Sequence, residues 1–152
     1  MTDTEAMHEA LSLAREAADE GEVPVGCIVT DGEHIVGRGR NRRETGKSAL
    51  AHAELEAIGE ACRTLGGWRL WRCTLYVTLE PCPMCAGTIV NSRIKRVIFG
   101  AKNPKAGAFG SVLDLNAYPL NHKPEIISGI MEEEVSSLLS DFFKILREKN
   151  KN

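Results

Sequence analysis

Three residues of metal-binding type and one carboxylate fall in two short stretches, His52-Ala53-Glu54 and Pro81-Cys82-Pro83-Met84-Cys85. His52, Cys82 and Cys85 together form a set of three zinc ligands. Catalytic zinc is commonly held by three protein ligands, and the fourth position is left for water. Glu54 stands two residues after the histidine and is free to carry protons beside that water. The chemistry of such a set is metal-assisted hydrolysis, with the carboxylate as proton carrier.

The spacing says which elements must deliver these groups. Cys82 and Cys85 are three apart, so at a helix start both thiols face one side. Pro81 and Pro83 suit a helix beginning, where a missing N–H costs little. A helix N-terminus also favours thiolate, the form a metal takes. His52 opens a second apolar-periodic run, Ala53, Leu55, Ala57, Ile58, Ala61 and Leu65. Two helix starts are therefore expected to converge on one metal, with Glu54 in the first turn beside it. A C-x-x-C pair alone fits a redox dithiol, half of a structural zinc site or two buried thiols as well. A closed structural site needs a fourth ligand from Cys27, Cys62, Cys73, His8, His34 or His122, none in a second C-x-x-C. The completeness of the set favours catalytic zinc, with the other readings still open.

Bulk properties narrow the class. The 152 residues suit one domain, 1–152, with a real core. There is no apolar stretch of membrane-spanning length and no signal-peptide pattern at the N-terminus. Five scattered cysteines do not form a disulfide framework, so Cys27, Cys62 and Cys73 are expected as small buried residues in the cytoplasm. The net charge of −2 argues against a strong nonspecific nucleic-acid binder, yet charge is unevenly spread. Residues 1–33 hold nine acids and one base; the remainder holds eighteen bases and twelve acids. The bases cluster at Arg38, Arg40, Arg42, Arg43 and Lys47; at Arg93, Lys95 and Arg96; at Lys102 and Lys105; and at Lys144, Arg147, Lys149 and Lys151. Each cluster suits solvated surface, and several around one pocket would make a track for a phosphate backbone.

Taken in order, residues 4–20 read as an amphipathic helix with Thr4 as N-cap and Gly21 as its end. Residues 23–29 read as a strand, Asp31-Gly32 as a tight turn and residues 34–39 as the return strand. The metal helix follows at 52–65, stopped by Gly66-Gly67. Residues 68–72 form a linker whose two tryptophans are expected to be partly buried. A strand at 74–78 leads directly to the helix of 82–91, then to a strand from about Ile94 to Gly100. Strand, helix, strand implies a parallel pair. Residues 101–124 are too long for an inert connection and imply a functional loop or short helix. A last short strand at 125–128 precedes a terminal helix at 131–149 with acids in its first turn and bases in its last. The sum is a three-layer α/β/α domain around a mixed sheet.

H-x-E followed by P-C-x-x-C is the signature of the zinc base deaminases. Further stretches narrow the match: Glu22-Val23-Pro24-Val25-Gly26, Asn41-Arg42, Leu75-Tyr76-Val77-Thr78-Leu79-Glu80, Asn91-Ser92-Arg93-Ile94, Asn121-His122 and Ser140-Asp141-Phe142-Phe143. Across nearly its whole length the chain resembles the bacterial tRNA-specific adenosine deaminases of the cytidine deaminase-like superfamily. The resemblance implies a central five-stranded mixed sheet and one zinc ion per subunit, held by His52, Cys82 and Cys85. It implies Glu54 as proton shuttle, and Val25, Asn41 and the backbone of Ala53 around the base. It implies a homodimer, no membrane, and a tRNA anticodon stem-loop as partner, with adenosine converted to inosine at the wobble position, chiefly of an arginine tRNA. Asn103, Lys105, Phe142, Phe143, Lys144 and Arg147 are weaker candidates for RNA contact. One departure stands out: many relatives carry aspartate where this chain has Asn103. Asparagine keeps the hydrogen bonding and loses the charge, so a weaker preference for ribose over deoxyribose is expected. The rivals are a guanine, cytosine or nucleoside deaminase acting on a free molecule, and a noncatalytic RNA-binding module with structural zinc.

Overall fold

The first helix begins one residue earlier than periodicity suggests. In the computed structural model, which describes residues 1–151, α1 spans Asp3–Asp19. Thr2, not Thr4, is its N-cap: Thr2 is extended and its hydroxyl accepts the Glu5 N–H at 3.1 Å. Gly21 follows the helix in the left-handed region at φ +81°, which only glycine adopts cheaply.

A hairpin comes next, β1 (Gly26–Asp31) and β2 (His34–Arg40), closed by the Asp31-Gly32 turn. Strand pairing starts at Gly26, not Val23, since Pro24 has no N–H to give a ladder. Val23 and Val25 are thereby released to line a cavity. The remaining elements are α2 (Ala53–Leu65), β3 (Cys73–Leu79), α3 (Pro83–Asn91), β4 (Arg96–Ala101), β5 (Glu125–Ser128) and α4 (Glu132–Lys149). β4 starts two residues after Ile94. Arg93, at φ +64°, ends the turn after α3, and Lys95 N–H bonds the Cys73 carbonyl at 3.1 Å before pairing begins.

The sheet order is β2-β1-β3-β4-β5. β1 runs antiparallel to β2 and to β3, while β3, β4 and β5 run parallel. This is the expected five-stranded mixed sheet. Alternate residues serve opposite layers. Leu75, Val77, Val97 and Phe99 pack with Ala57, Ile58, Ala86 and Ile89 of α2 and α3. Ile28, Tyr76 and Ile98 face Met7 and Ala10 of α1, and Leu11 joins Val135 of α4 on the same side. Cys27 and Cys73 are buried as expected, while Cys62 is half-buried. In the long connection, Leu115–Ala117 forms one 3-10 turn.

One expectation fails on burial. Trp68 and Trp71 are 50% and 62% exposed, so neither joins the core. Leu70 between them takes the buried position, and each indole lies beside a guanidinium, Arg69 at 4.3 Å and Arg72 at 5.5 Å. On α4 Val135, Leu138, Leu139, Phe142, Phe143, Ile145 and Leu146 form an apolar stripe, of which only Val135 is buried while Phe143, Ile145 and Leu146 are exposed. Among the described residues no helix is long and apolar enough to cross a membrane.

Candidate active site

The parallel strand β3 carries the chain to the edge of the sheet, where Glu80-Pro81 leads into α3. Cys82 is the N-cap of α3, with Pro83 at its first position, and Cys85 is buried in the first turn. His52 is the N-cap of α2, and Ala53 and Glu54 are buried in that helix's first turn. Two helix starts therefore meet, as the spacing implied. The glycines of β2 allow it. A Cβ on Gly39 would lie 2.2 Å from the Ala53 carbonyl oxygen, so α2 lies against the strand backbone itself.

His52 Nδ1 lies 3.7 Å from Cys82 Sγ and 3.5 Å from Cys85 Sγ. Nitrogen and sulfur on a tetrahedral zinc, at the usual bond lengths, would be separated by roughly 3.6 Å. The three donor atoms all lie within 4.8 Å of one another, and among the described residues no fourth His, Cys or carboxylate joins them. Donor set and spacing thus fit zinc with an open position. The thiols share their protons unequally. A hydrogen bond from Cys85, and then His52, bring Cys82 down to about 4. The same bond and burial push Cys85 up. The bond to Cys82 raises His52. Burial, reinforced by the charge of Cys82, pushes the Glu54 carboxyl up to about 7.

These groups open into a cavity of about 540 Å³, the size of a ligand site. Val25, Asn41, His52, Ala53, Glu54 and Cys82 line its depth. Asn41 is buried and held by its own hydrogen bonds. Its Nδ2 donates to the Val23 carbonyl at 3.1 Å, and its Oδ1 accepts the Arg43 N–H at 3.2 Å. Arg43, Lys102 and Lys105 are exposed members of the same lining and so stand at its mouth, with Asn103 half-buried beside them. Asn103 Oδ1 accepts the N–H groups of Lys105 and Ala106, both at 3.2 Å, so its side chain shapes its own loop. On α4 only Phe143, with Leu139, reaches the cavity. Phe142 stacks edge-on against Phe143 at 5.4 Å. Lys144 and Arg147 are exposed and outside the lining.

The basic clusters are not one track. Arg40 is paired with Glu16 and Glu20, Arg42 with Glu56, and Arg96 with Asp3 and Glu125. Sequence reasoning also passed over Glu80, a buried carboxylate in the lining. Its signal was its company: an acid between Leu79 and Pro81 at the end of an apolar strand must find donors somewhere.

Comparison with known proteins agrees with this geometry. A MafB19-like deaminase family model matches residues 1–147. The chain is 49% identical to the tRNA-specific adenosine deaminase of Bacillus subtilis over 146 residues, covering 95% of this chain and 91% of that one. It is 45% identical to the Haemophilus influenzae protein of the same name, covering 98% and 87%. A solved structure from studies of A-to-I editing by tRNA A34 deaminases superposes with a TM-score of 0.87 at 40% identity, covering 90% of this chain and 99% of that one. The chain belongs to the MafB19-like deaminases and to the tRNA-specific adenosine deaminase family.

Proposed function

We propose that this chain hydrolyses adenosine to inosine at the wobble position of a tRNA anticodon, chiefly of an arginine tRNA. The observation that carries the reading is one cavity that His52, Cys82 and the buried Glu54 line, with Cys85 completing the three-donor group behind them and three exposed cations in the same lining. Its relatives' names and sequence identity support the choice of substrate. His52, Cys82 and Cys85 hold one zinc ion, which when bound supplies Lewis acidity at an open position and lowers the pKa of water there.

The chain's own groups do the rest. Glu54 accepts a proton from the attacking water as its oxygen bonds to C6 of adenine. It passes that proton to N1, then takes the second proton from the new C6 hydroxyl and gives it to the leaving amine, so that the C6–N bond breaks to release ammonia and C6 keeps its oxygen as a carbonyl. A buried carboxyl in the first turn of α2, beside the three donors, is placed to take and give a proton there. Val25, Asn41 and the Ala53 backbone surround the base. Arg43, Lys102 and Lys105 face the phosphates on either side, and Asn103 and Phe143 lie at the same mouth. Phe142, Lys144 and Arg147 meet RNA farther from the base. By family resemblance the enzyme is a single-domain cytoplasmic homodimer whose two subunits both touch the RNA.

The deciding measurement is inosine formation on a synthetic anticodon stem-loop with wobble adenine, beside free guanine, cytosine, cytidine and adenosine. Conversion of the stem-loop alone is expected. Conversion of a free base or nucleoside alone would reassign the substrate. No conversion by zinc-loaded protein would leave a binding module.

A further inference from the structure

Two carboxylates are almost fully buried yet have no part in the chemistry: Glu22 at 1% exposure and Glu80 at 2%. Among the described residues neither pairs with a cation. Each is satisfied instead by the backbone of one rim loop. Glu22 accepts the N–H groups of Glu44 at 3.1 Å and Thr45 at 2.7 Å. Glu80 accepts those of Asn103 at 3.1 Å, Phe109 at 3.0 Å and Ser111 at 3.2 Å, together with the Ser111 hydroxyl. The fit is close: a Cβ on Gly107 would lie 2.4 Å from the Glu80 carboxyl. The Ala108 N–H also bonds the Pro81 carbonyl at 2.9 Å, tying this loop to the segment that carries Cys82.

Burying a carboxylate is costly, and an apolar side chain would serve a plain core better. What these two accomplish is to order loops that have no helix or strand of their own. Those loops carry the rim cations: Arg43 directly precedes Glu44, and Lys102 and Lys105 flank Asn103. We propose that Glu22 and Glu80 are positioning residues that hold both cationic rim loops in place before RNA arrives. A loop ordered in advance need not be ordered by the substrate, so the effect falls on RNA capture and not on the chemical step. This rests on the tRNA reading of the site.

The test uses the zinc-loaded full chain with Glu22→Gln and Glu80→Gln. Glutamine offers one acceptor oxygen and sets an NH2 donor against loop N–H groups. The expected result is a KM for the anticodon stem-loop about tenfold higher, with kcat within twofold. Metal content stays unchanged, and amide hydrogen exchange quickens at residues 44–45 in the first variant and 103–111 in the second. Ser111→Ala is the milder check, should Glu80→Gln fail to fold. It removes one donor and no carboxylate, and should raise KM by about two- to fivefold. Unaltered KM despite faster loop exchange, or loss of kcat and metal together, would overturn the proposal. If the native protein leaves the stem-loop unconverted, the tRNA reading has failed; unaltered exchange in both glutamine variants would separately refute the clamps.

Discussion

Glu54 pays for its position at the residue scale: it is 4% exposed, and burial holds its carboxyl at about 7. The folded state then keeps a proton that an unfolded carboxyl, ionising near 4.5, gives up. Stability drawn from that proton is complete below about 4.5 and is lost as pH rises through about 7. In metal-stripped protein, Glu54→Gln is thus expected to gain stability over the native chain by roughly 3 kcal/mol between pH 4.5 and pH 8. Thermal unfolding at both pH values reads this, and a difference independent of pH would place Glu54 elsewhere. The same variant, like Glu54→Ala, should lose turnover and keep its metal, since the three donors are complete without it. Metal loss on either substitution would make Glu54 a ligand. Asn103 makes a second test. An aspartate there would keep both loop hydrogen bonds and add only charge. Asn103→Asp is expected to raise the RNA-to-DNA ratio of deamination on matched hairpins; an unaltered ratio would show that the residue does not sense the sugar.

At the scale of elements, the site depends on how near α2 can come to the sheet. Gly37 and Gly39 let the helix backbone touch β2, and that contact sets where His52 and Glu54 stand relative to Cys82. A methyl group at Gly39 meets a helix carbonyl and an amide nitrogen, backbone atoms that cannot turn aside. Gly39→Ala should lower the unfolding midpoint by roughly 3–10 °C. It should also lower zinc content, because α2 carries one ligand and α3 the other two. Unfolding and metal analysis on one preparation would show both, and full zinc occupancy despite destabilisation would mean that the helix start moves independently of its body.

Charge works at the scale of the whole molecule. The acidic first 33 residues are not idle surface: Glu16 and Glu20 of α1 occupy Arg40, and Asp3 occupies Arg96. Among the described residues Arg43, Lys102 and Lys105 have no carboxylate within ion-pair distance, and all three stand at the cavity mouth. Binding of the stem-loop measured against salt should therefore separate the bases. Arg43→Ala and Lys105→Ala should each reduce the slope of log affinity on log salt by about 0.7–0.9. Arg40→Ala should leave it unchanged. Equal slopes for all three variants would mean that the cations act as a diffuse field and not as a rim.

The grouping of His52, Cys82 and Cys85, the two helix starts, the parallel β3–α3–β4 unit and the five strands were legible from the chain alone. These follow from local rules: proline and cysteine at a helix start, apolar periodicity and turn residues. Tertiary structure alone decided what each long-range partner would be. Trp68 and Trp71 left exposed and most of the α4 stripe left uncovered depend on which surface another element reaches. The same holds for charge: Arg40 and Arg43 read alike in sequence, and only the approach of α1 makes one a structural partner and leaves the other free. Glu22 and Glu80 were visible as acids beside apolar strands, but the donors that justify their burial lie 22 to 31 residues away along the chain. Periodicity reports which way a side chain points from its own backbone; what it meets there is settled by the fold.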